Sequence, residues 1–411
     1  MQPTKMDVLR EVQSGSGAHG EFLLGDAREK LVDLLDRYRG QVQLIYLDPP
    51  FATGQQWKIR MRAGEKDWKS GNGSIQLPAY SDPSSEPEYL QMMREVLTGC
   101  RELLSDTGVL FLHIDFRMHA RLRLLMDEIF GEACFLNEII WAYQTGGRAR
   151  RYFSRKHDVI LFYRKTKNYT FDITQVPVER AGNRRNHMKR HVDTDGRVYR
   201  SIRSGGKVYT YYDDEPAYPG DVWDDVSHLQ QKDPQRTGYD TQKPISLLTR
   251  IVQCASKPGD LVMDLFSGSG TTLEAAHLCG RRFVGVDMSP MSMHVIRRRL
   301  MDADVLYQAP PFDGEPLVAA QMQSGIAYYD ITMLKYELEP GLTARSFTGM
   351  DALDSWSAGY LRDGAFVSMV SSFRTKQQPQ LQTLLQLPVL SGIPMIRTQD
   401  VLGRAFFFAL Q

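Results

Sequence analysis

Asp48-Pro49-Pro50-Phe51 ends an apolar run in the stretch IYLDPPFATG, residues 45–54. Prolines stop strands and Asp before Pro is ordinary turn chemistry, so the tetrapeptide also suits a plain strand end. Its chemical content is a rigid floor: one carboxylate, carbonyls whose proline neighbours carry no N–H, and a flat apolar ring. A second constellation is LVMDLFSGSGTTLEAA, residues 261–276. Gly268 and Gly270 let backbone approach a ligand without Cβ clashes, and Thr271 or Thr272 can cap the helix that follows. A dinucleotide loop would need a third glycine where Leu273 stands, and a P-loop would need Gly-Lys-Ser/Thr, so a pyrophosphate does not fit this loop. Asp287, in FVGVDMS, stands about twenty residues further on, where an acid at the tip of the next strand holds ribose hydroxyls. A ribose without phosphate recognition points to S-adenosylmethionine, against the plainer reading of an unoccupied tight turn.

These residues need elements to hold them. EFLLGDAREKLVDLLDRYRGQVQLIYLDPPF, residues 21–51, reads as strand, helix and strand, with Leu31, Leu34 and Leu35 at helical spacing and the helix ending near Gly40. LIYL is a continuous apolar run, as in strands covered on both faces of a parallel sheet. The polar stretch Thr53–Pro87 reads as a long loop. A helix and a strand then follow in 88–115, a helix in 119–131, and strands in NEIIWAYQ and HDVILFYRK. From Thr241 to about residue 300 the alternation returns, so the fold class is α/β. Between 166 and 238 it breaks. There RVYRSIRSGGKVYTYY predicts a β-hairpin turning at Gly205-Gly206. Residues 307–316 read as a linker, and the last hundred residues hold β-like stretches such as GIAYYDITML and GAFVSMVSSF.

Composition narrows the partners. The chain of 411 residues is 42% apolar and 24% charged with a net charge of +1, as in soluble globular proteins. Its bases are nevertheless segregated. Arg148, Arg151, Arg184, Arg185, Lys189 and Arg190 belong to a basic region running from about 148 to 207, with few carboxylates before the acidic stretch Asp213–Asp225. Such segregation is a solvated face or the footprint of a polyanion, and nucleic acid is the favoured partner. Cys100, Cys134, Cys254 and Cys279 form no CxxC pair and read as reduced thiols. His187 and His191 have a helical metal-pair spacing but no third ligand nearby, and DTDGR lacks the downstream Glu of a calcium loop, so no metal is expected. With no apolar leader or membrane-length run, the expectation is a soluble cytoplasmic protein without membrane partners. His113, Asp115 and His119 in HIDFRMH border a strand end without an assigned role. Phe162 or Tyr163 reads equally as a pocket wall or as strand core.

Taken in order, LLGDARE, IYLDPPF, GVLFLHID, FLNEIIW, KHDVILFYRK, TQKP and DLFSGSGTT resemble the amino-methylating DNA methyltransferases of the β arrangement, in which the catalytic half precedes the cofactor half. Modification subunits of restriction systems and solitary bacterial enzymes belong there. The resemblance spans about residues 20–300. It departs from the family at Ala52, where many relatives have Asn, and it leaves the last hundred residues outside the shared core. It implies a Rossmann-like S-adenosylmethionine-dependent methyltransferase sheet with helices on both faces, a β-containing insert and a C-terminal extension. The implied divisions are 20–165 as catalytic half, 166–238 as target-recognition insert, 239–305 as cofactor half and 317–411 as an accessory domain.

The resemblance also implies roles. Asp48 and the Pro49 carbonyl accept hydrogen bonds from a base's exocyclic amine, with Pro50 stiffening the pair, and Phe51 stacks on the base. Phe266, Ser267, Gly268, Gly270, Thr271 and Thr272 form the loop around the methionine part. Asp287 takes the ribose, Asp26 lies near the adenine, and Lys243 and Pro244 start the helix that closes the methionine end. The implied partner is double-stranded DNA, and the family leaves room for a homodimer and for a restriction endonuclease partner. Family usage of Asp at this position favours adenine N6 as target, with cytosine N4 or RNA as rivals. A catalytically idle DNA-binding specificity module is the rival of another class, against which the intact Asp48, Phe51, Gly268 and Asp287 argue.

Overall fold

The computed structural model describes residues 3–13, 19–51, 56–70, 75–81, 85–143, 149–178, 189–230, 232–239, 241–339 and 349–410. Its core elements are, in chain order, β1 (His19–Leu24), α1 (Ala27–Tyr38), β2 (Val42–Leu47), α2 (Glu86–Leu103), β3 (Leu104–Ile114), α3 (His119–Phe130), β4 (Phe135–Ala142), β5 (His157–Arg164), α4 (Ile245–Ala255), β6 (Leu261–Asp264), α5 (Thr271–Leu278), β7 (Arg282–Asp287), α6 (Pro290–Arg299) and β8 (Asp304–Gln308). The strands lie in the order β8-β1-β7-β6-β2-β3-β5-β4. Those from β8 to β3 are mutually parallel, whereas β5 is antiparallel to both β3 and β4.

Residue alternation along β2 shows why helices cover both faces. Leu44 and Tyr46 pack with Leu247, Leu248 and Ile251 of α4 on one side. Ile45 and Leu47 pack with Leu31 and Leu34 of α1 and Met93 and Leu97 of α2 on the other. The period of two sends neighbouring residues to opposite faces, so a doubly covered strand is apolar throughout. Asp26 caps α1, its carboxylate accepting from Arg28 N at 2.8 Å.

Two expectations change and one open alternative closes. The stretch 53–87 holds a hairpin-like pair, Gln56–Met61 with Ile75–Ser81, and the helix Gly64–Ser70 in place of a long loop. Phe162 is core, stacked on Phe111 with centroids 4.2 Å apart, and Tyr163 is buried with its hydroxyl bonded to Asp127 at 2.6 Å; neither is among the residues that line the cleft described below. The C-terminal strands also extend the central sheet. Arg10–Gln13 runs antiparallel to β8 and parallel to Ala365–Phe373, and through them Leu353–Arg362, Ile393–Asp400 and Ala405–Ala409 follow on. Buried ion pairs of Glu11 with Arg297 and Arg397 stitch this region to α6. Within 166–238 the predicted hairpin is present, Val198–Ser204 against Lys207–Tyr212, with Arg190–Val192 as third strand. Among the described residues no helix is long and apolar enough to cross a membrane, and the four cysteines are free thiols.

Candidate active site

Because β1, β7, β6 and β2 are parallel neighbours, their carboxyl ends open at one edge of the sheet, where open α/β folds bind ligands. A cleft of about 380 Å³ lies there. Each strand end supplies part of its lining. Gly25 and Asp26 follow β1, Asp48 and Pro50 follow β2, Asp264 ends β6 with Leu265 to Ser269 after it, and Asp287 ends β7. The two constellations, more than 200 residues apart in the chain, meet because β6 pairs with β2 in the register Val262↔Leu44 and Met263↔Ile45. Lys243, Thr271 and Thr272 complete the predicted residues of the wall. Pro49 and Phe51 adjoin it, Pro244 is the N-cap of α4, and Gly270 that of α5.

The glycine loop has the conformation its composition suggests. Gly268 and Gly270 have φ of 49° and 75°. A Cβ on Gly270 would stand 2.4 Å from Ile296 Cγ1, so both backbone angle and space demand glycine there. Neither threonine caps α5. Thr272 Oγ1 donates to Asp264 Oδ2 at 2.6 Å and Thr271 Oγ1 to the Lys243 carbonyl at 3.2 Å, tying the loop to β6 and to the TQKP turn. Asp264 was not singled out from the sequence, although a buried acid just before the glycine loop was a readable signal. Burial pushes its carboxyl up to about 7 against the bonds from Thr272 and Phe266 N, with the charges of Asp48 and Asp287 adding to the rise.

Asp287 braces the loop. Its Oδ2 accepts from Gly268 N and its Oδ1 from Ser289 N, both at 2.8 Å, and desolvation still lifts it to about 6. Asp26 lines the far end, its carboxylate engaged by the Arg28 guanidinium at 2.9–3.0 Å.

Lys243, in the turn before α4, also reaches the DPPF floor. Its ammonium pairs with Asp48 Oδ2, and both side chains are largely buried. Asp48 Oδ1 is buried and has no hydrogen-bond partner among the described residues. Behind the floor runs a polar chain that the HIDFRMH stretch only hinted at. Tyr46 OH meets His113 Nδ1 at 2.7 Å, and His113 Nε2 meets Asp158 Oδ2 at 3.2 Å. Tyr143 OH donates to Asp158 Oδ1 at 3.1 Å. The His113 ring lies 6.3 Å from that of Phe51, at 31°, and Trp141 packs edge-on against it, so the aromatic of the floor has a fixed backing. Tyr239, which also escaped the sequence reading, lines the cleft beside Gly268.

Of the basic residues, Arg151, Lys189 and Arg190 are exposed, Arg190 on the outer strand of the hairpin sheet. Arg148, Arg184, Arg185 and His187 lie outside the described residues. His191 stacks on Tyr199, and no group of metal-ligating side chains occurs among the described residues.

The parallel sheet, the glycine loop at the end of β6 and the acid at the end of β7 define a Rossmann-like domain with a nucleoside-sized cleft. The chain belongs to the DNA methylase family of the N6/N4 type, whose model matches residues 42–298. It is 29% identical over 307 residues to the type II methyltransferase M.EcaI of Enterobacter cloacae, covering 63% of this chain and 64% of that one. It is 27% identical to the DNA adenine methyltransferase YhdJ of Escherichia coli over 264 residues, covering 63% and 76%. Against the StyLTI Mod subunit, a type III restriction-modification enzyme of Salmonella typhimurium, identity is 26% with coverage of 63% and 50%. The chain thus spans between half and three quarters of the length of these relatives.

Proposed function

We propose that this chain transfers the methyl group of S-adenosylmethionine to an exocyclic amine of a base flipped out of DNA, with adenine N6 as the target. The observation that carries this is Asp48. A carboxylate in a proline-stiffened floor, with one oxygen lacking a donor and the other held by a lysine, meets the glycine-loop cleft edge to edge. The cleft fits the cofactor. Its volume falls in the range of small-ligand sites, it has carboxylates for hydroxyl and ammonium groups, and Lys243 is a cation for a carboxylate. The cofactor supplies an electrophilic methyl group on a sulfonium.

An exocyclic amine is a poor nucleophile because its lone pair is delocalised into the ring. Asp48 and the Pro49 carbonyl, accepting its two N–H bonds, draw the nitrogen towards tetrahedral geometry and aim the lone pair into the cleft. Positive charge grows on nitrogen during transfer, and a fixed carboxylate stabilises it more in the transition state than before. Phe51, backed by His113, offers the stacking face a flipped base loses in the duplex. Adenine is preferred on the family's use of Asp at this position and on the likeness to an adenine methyltransferase. Likeness to a Mod subunit supports a restriction-modification setting with an endonuclease partner. Sequencing DNA from a host expressing the chain, with modified-base detection, should reveal N6-methyladenine in one sequence context. N4-methylcytosine would keep the chemistry and overturn the base, and unmodified DNA would overturn the activity.

Two further results are expected. The cofactor carries a net positive charge, which favours ionised carboxylates beside it. Asp264 and Asp287, lifted to about 7 and about 6, should therefore release protons when it binds. Affinity should rise with pH through that window and level off above it. Calorimetry near pH 6.5 in buffers of different ionisation heat measures the released protons, and an affinity that falls with rising pH contradicts the assignment.

The second result concerns the insert. Lys189, Arg190, Arg203 and Lys207 are exposed on or beside the hairpin sheet. Replacing them with alanine should weaken DNA binding and lower the log–log salt slope by about 0.9 per lost phosphate contact. Cofactor affinity should not respond. A salt titration in which the variant matches the parent would remove this sheet from the DNA surface.

A further inference from the structure

The connection from β4 to β5 lies at the catalytic edge. β4 ends at Ala142 opposite His157, and β5 begins beside the end of β3, with Val159 opposite Ile114. The loop is braced at both ends of its described part. Tyr143 N donates to the Lys156 carbonyl at 2.9 Å, and Ala149 N donates to Ser154 Oγ at 3.1 Å. The Arg155 guanidinium lies over two rings, 3.9 Å from the centroid of Phe116 just past β3 and 5.0 Å from that of Tyr152. Phe153, between these anchored residues, is 98% exposed. It is the most exposed Phe, Tyr or Trp among the described residues, so nearly all of its ring's apolar area stays in water. Its neighbours Arg150, Arg151 and Arg155 are exposed, and residues 149–157 contain no carboxylate.

We infer that Phe153 is the wedge that enters the DNA stack and fills the space left by the flipped base. The inference rests on the proposed DNA methyltransferase reading. The occupant is double-stranded DNA. Exposed arginines before and after Phe153 in the chain suit the phosphates of a base step, and an apolar ring inserted between bases is a recurrent way of holding a duplex open. Position supports the assignment, since the loop shares the sheet edge with Asp48 and Phe51. Phe51 then serves the base that leaves and Phe153 the gap it leaves behind. Flipping demands unpairing and unstacking together, so a plug that offsets part of this combined cost raises the fraction of target held in the cleft, and it counts for less where the target is already unpaired.

The test uses the duplex sequence found methylated in the host. Single-turnover methyl transfer is compared for the parent, Phe153→Ala and Phe153→Trp, on a fully paired duplex and on one with an abasic site opposite the target. On the paired duplex Phe153→Ala should lose about tenfold or more in rate, while Phe153→Trp keeps most of it. On the duplex whose target is already unpaired, the alanine variant should come within about twofold of the parent. Cofactor affinity of both variants, measured by calorimetry, should match the parent and shows that the fold is intact. Equal losses on both duplexes, or no loss on the paired one, overturn the wedge while leaving the activity standing. A parent that methylates no DNA overturns the proposed function and the wedge together.

Discussion

Asp48→Ala is expected to abolish methyl transfer while leaving cofactor affinity unchanged or raised. In the proposed reaction Asp48 is the side-chain acceptor for the reacting amine, and removal of one preorganised electrostatic partner typically costs about 10²–10³ in rate. The loss here should be at least that large, because the partner is a full charge aimed at the atom on which charge develops. The expected behaviour of cofactor binding follows from the ion pair. Lys243 is held by Asp48 in the structure, so the alanine variant leaves a largely buried ammonium in search of an anion. The cofactor's carboxylate can provide one, which offsets whatever the loss of a nearby negative charge takes from the cofactor's cationic groups. Asp48→Asn should retain a trace of activity, since its carbonyl still accepts one hydrogen bond while its NH₂ opposes both the amine and Lys243. Single-turnover rates paired with calorimetric affinities separate the two effects. An alanine variant turning over within tenfold of the parent would remove Asp48 from the chemistry.

How much of this site could be read in the chain depends on whether a feature is local. The proline pair and the glycine loop announce themselves because Pro and Gly encode backbone geometry in place, and Gly270 bears this out with its positive φ and the nearby Ile296. The α/β alternation was legible for the same reason: each covered strand is a short apolar run between turn residues. What failed was non-local. Lys243 meets Asp48 across 195 positions in the chain, and no spacing rule reports a pair so distant. The threonines after Gly270 carry capping chemistry in sequence, yet Asp264 and the Lys243 carbonyl outcompete the helix end for their hydroxyls. Strands in 53–87 were missed because they pair chiefly with each other and carry polar residues, so neither apolar period nor length marks them. The join between the C-terminal strands and the central sheet runs through Arg10–Gln13, four residues whose pairing on both sides nothing in their composition foretells. His113 lay in plain sight, but only the fold shows that its two nitrogens are taken by Tyr46 and Asp158 and that its ring backs Phe51.

Asp287→Ala is expected to weaken S-adenosylmethionine binding by about 1.5–3 kcal/mol, the scale of hydrogen bonds to a charged group, or roughly tenfold to 150-fold. Two causes act together. The proposed ribose acceptor is lost, and so are the bonds by which the carboxylate holds Gly268 N and Ser289 N at 2.8 Å. The second cause predicts that asparagine is no remedy. Its single carbonyl oxygen can serve one of the two N–H groups, while its NH₂ faces the other, so Asp287→Asn should fall close to alanine rather than midway. A residue that met only the ribose would behave differently, because an amide accepts from a hydroxyl nearly as well as a carboxylate does. The loop anchors at Thr272–Asp264 and Ser292–Gly268 remain in either variant, so the fold should survive. DNA affinity without cofactor should be unchanged, since the hairpin strands form a sheet of their own and β4 and β5 stand four or more positions from β7 in the order of the central sheet. Calorimetric titration of parent, asparagine and alanine forms reads both points at once. An asparagine variant with parental affinity would confine Asp287 to the ribose, and an alanine variant with parental affinity would remove it from the cofactor site.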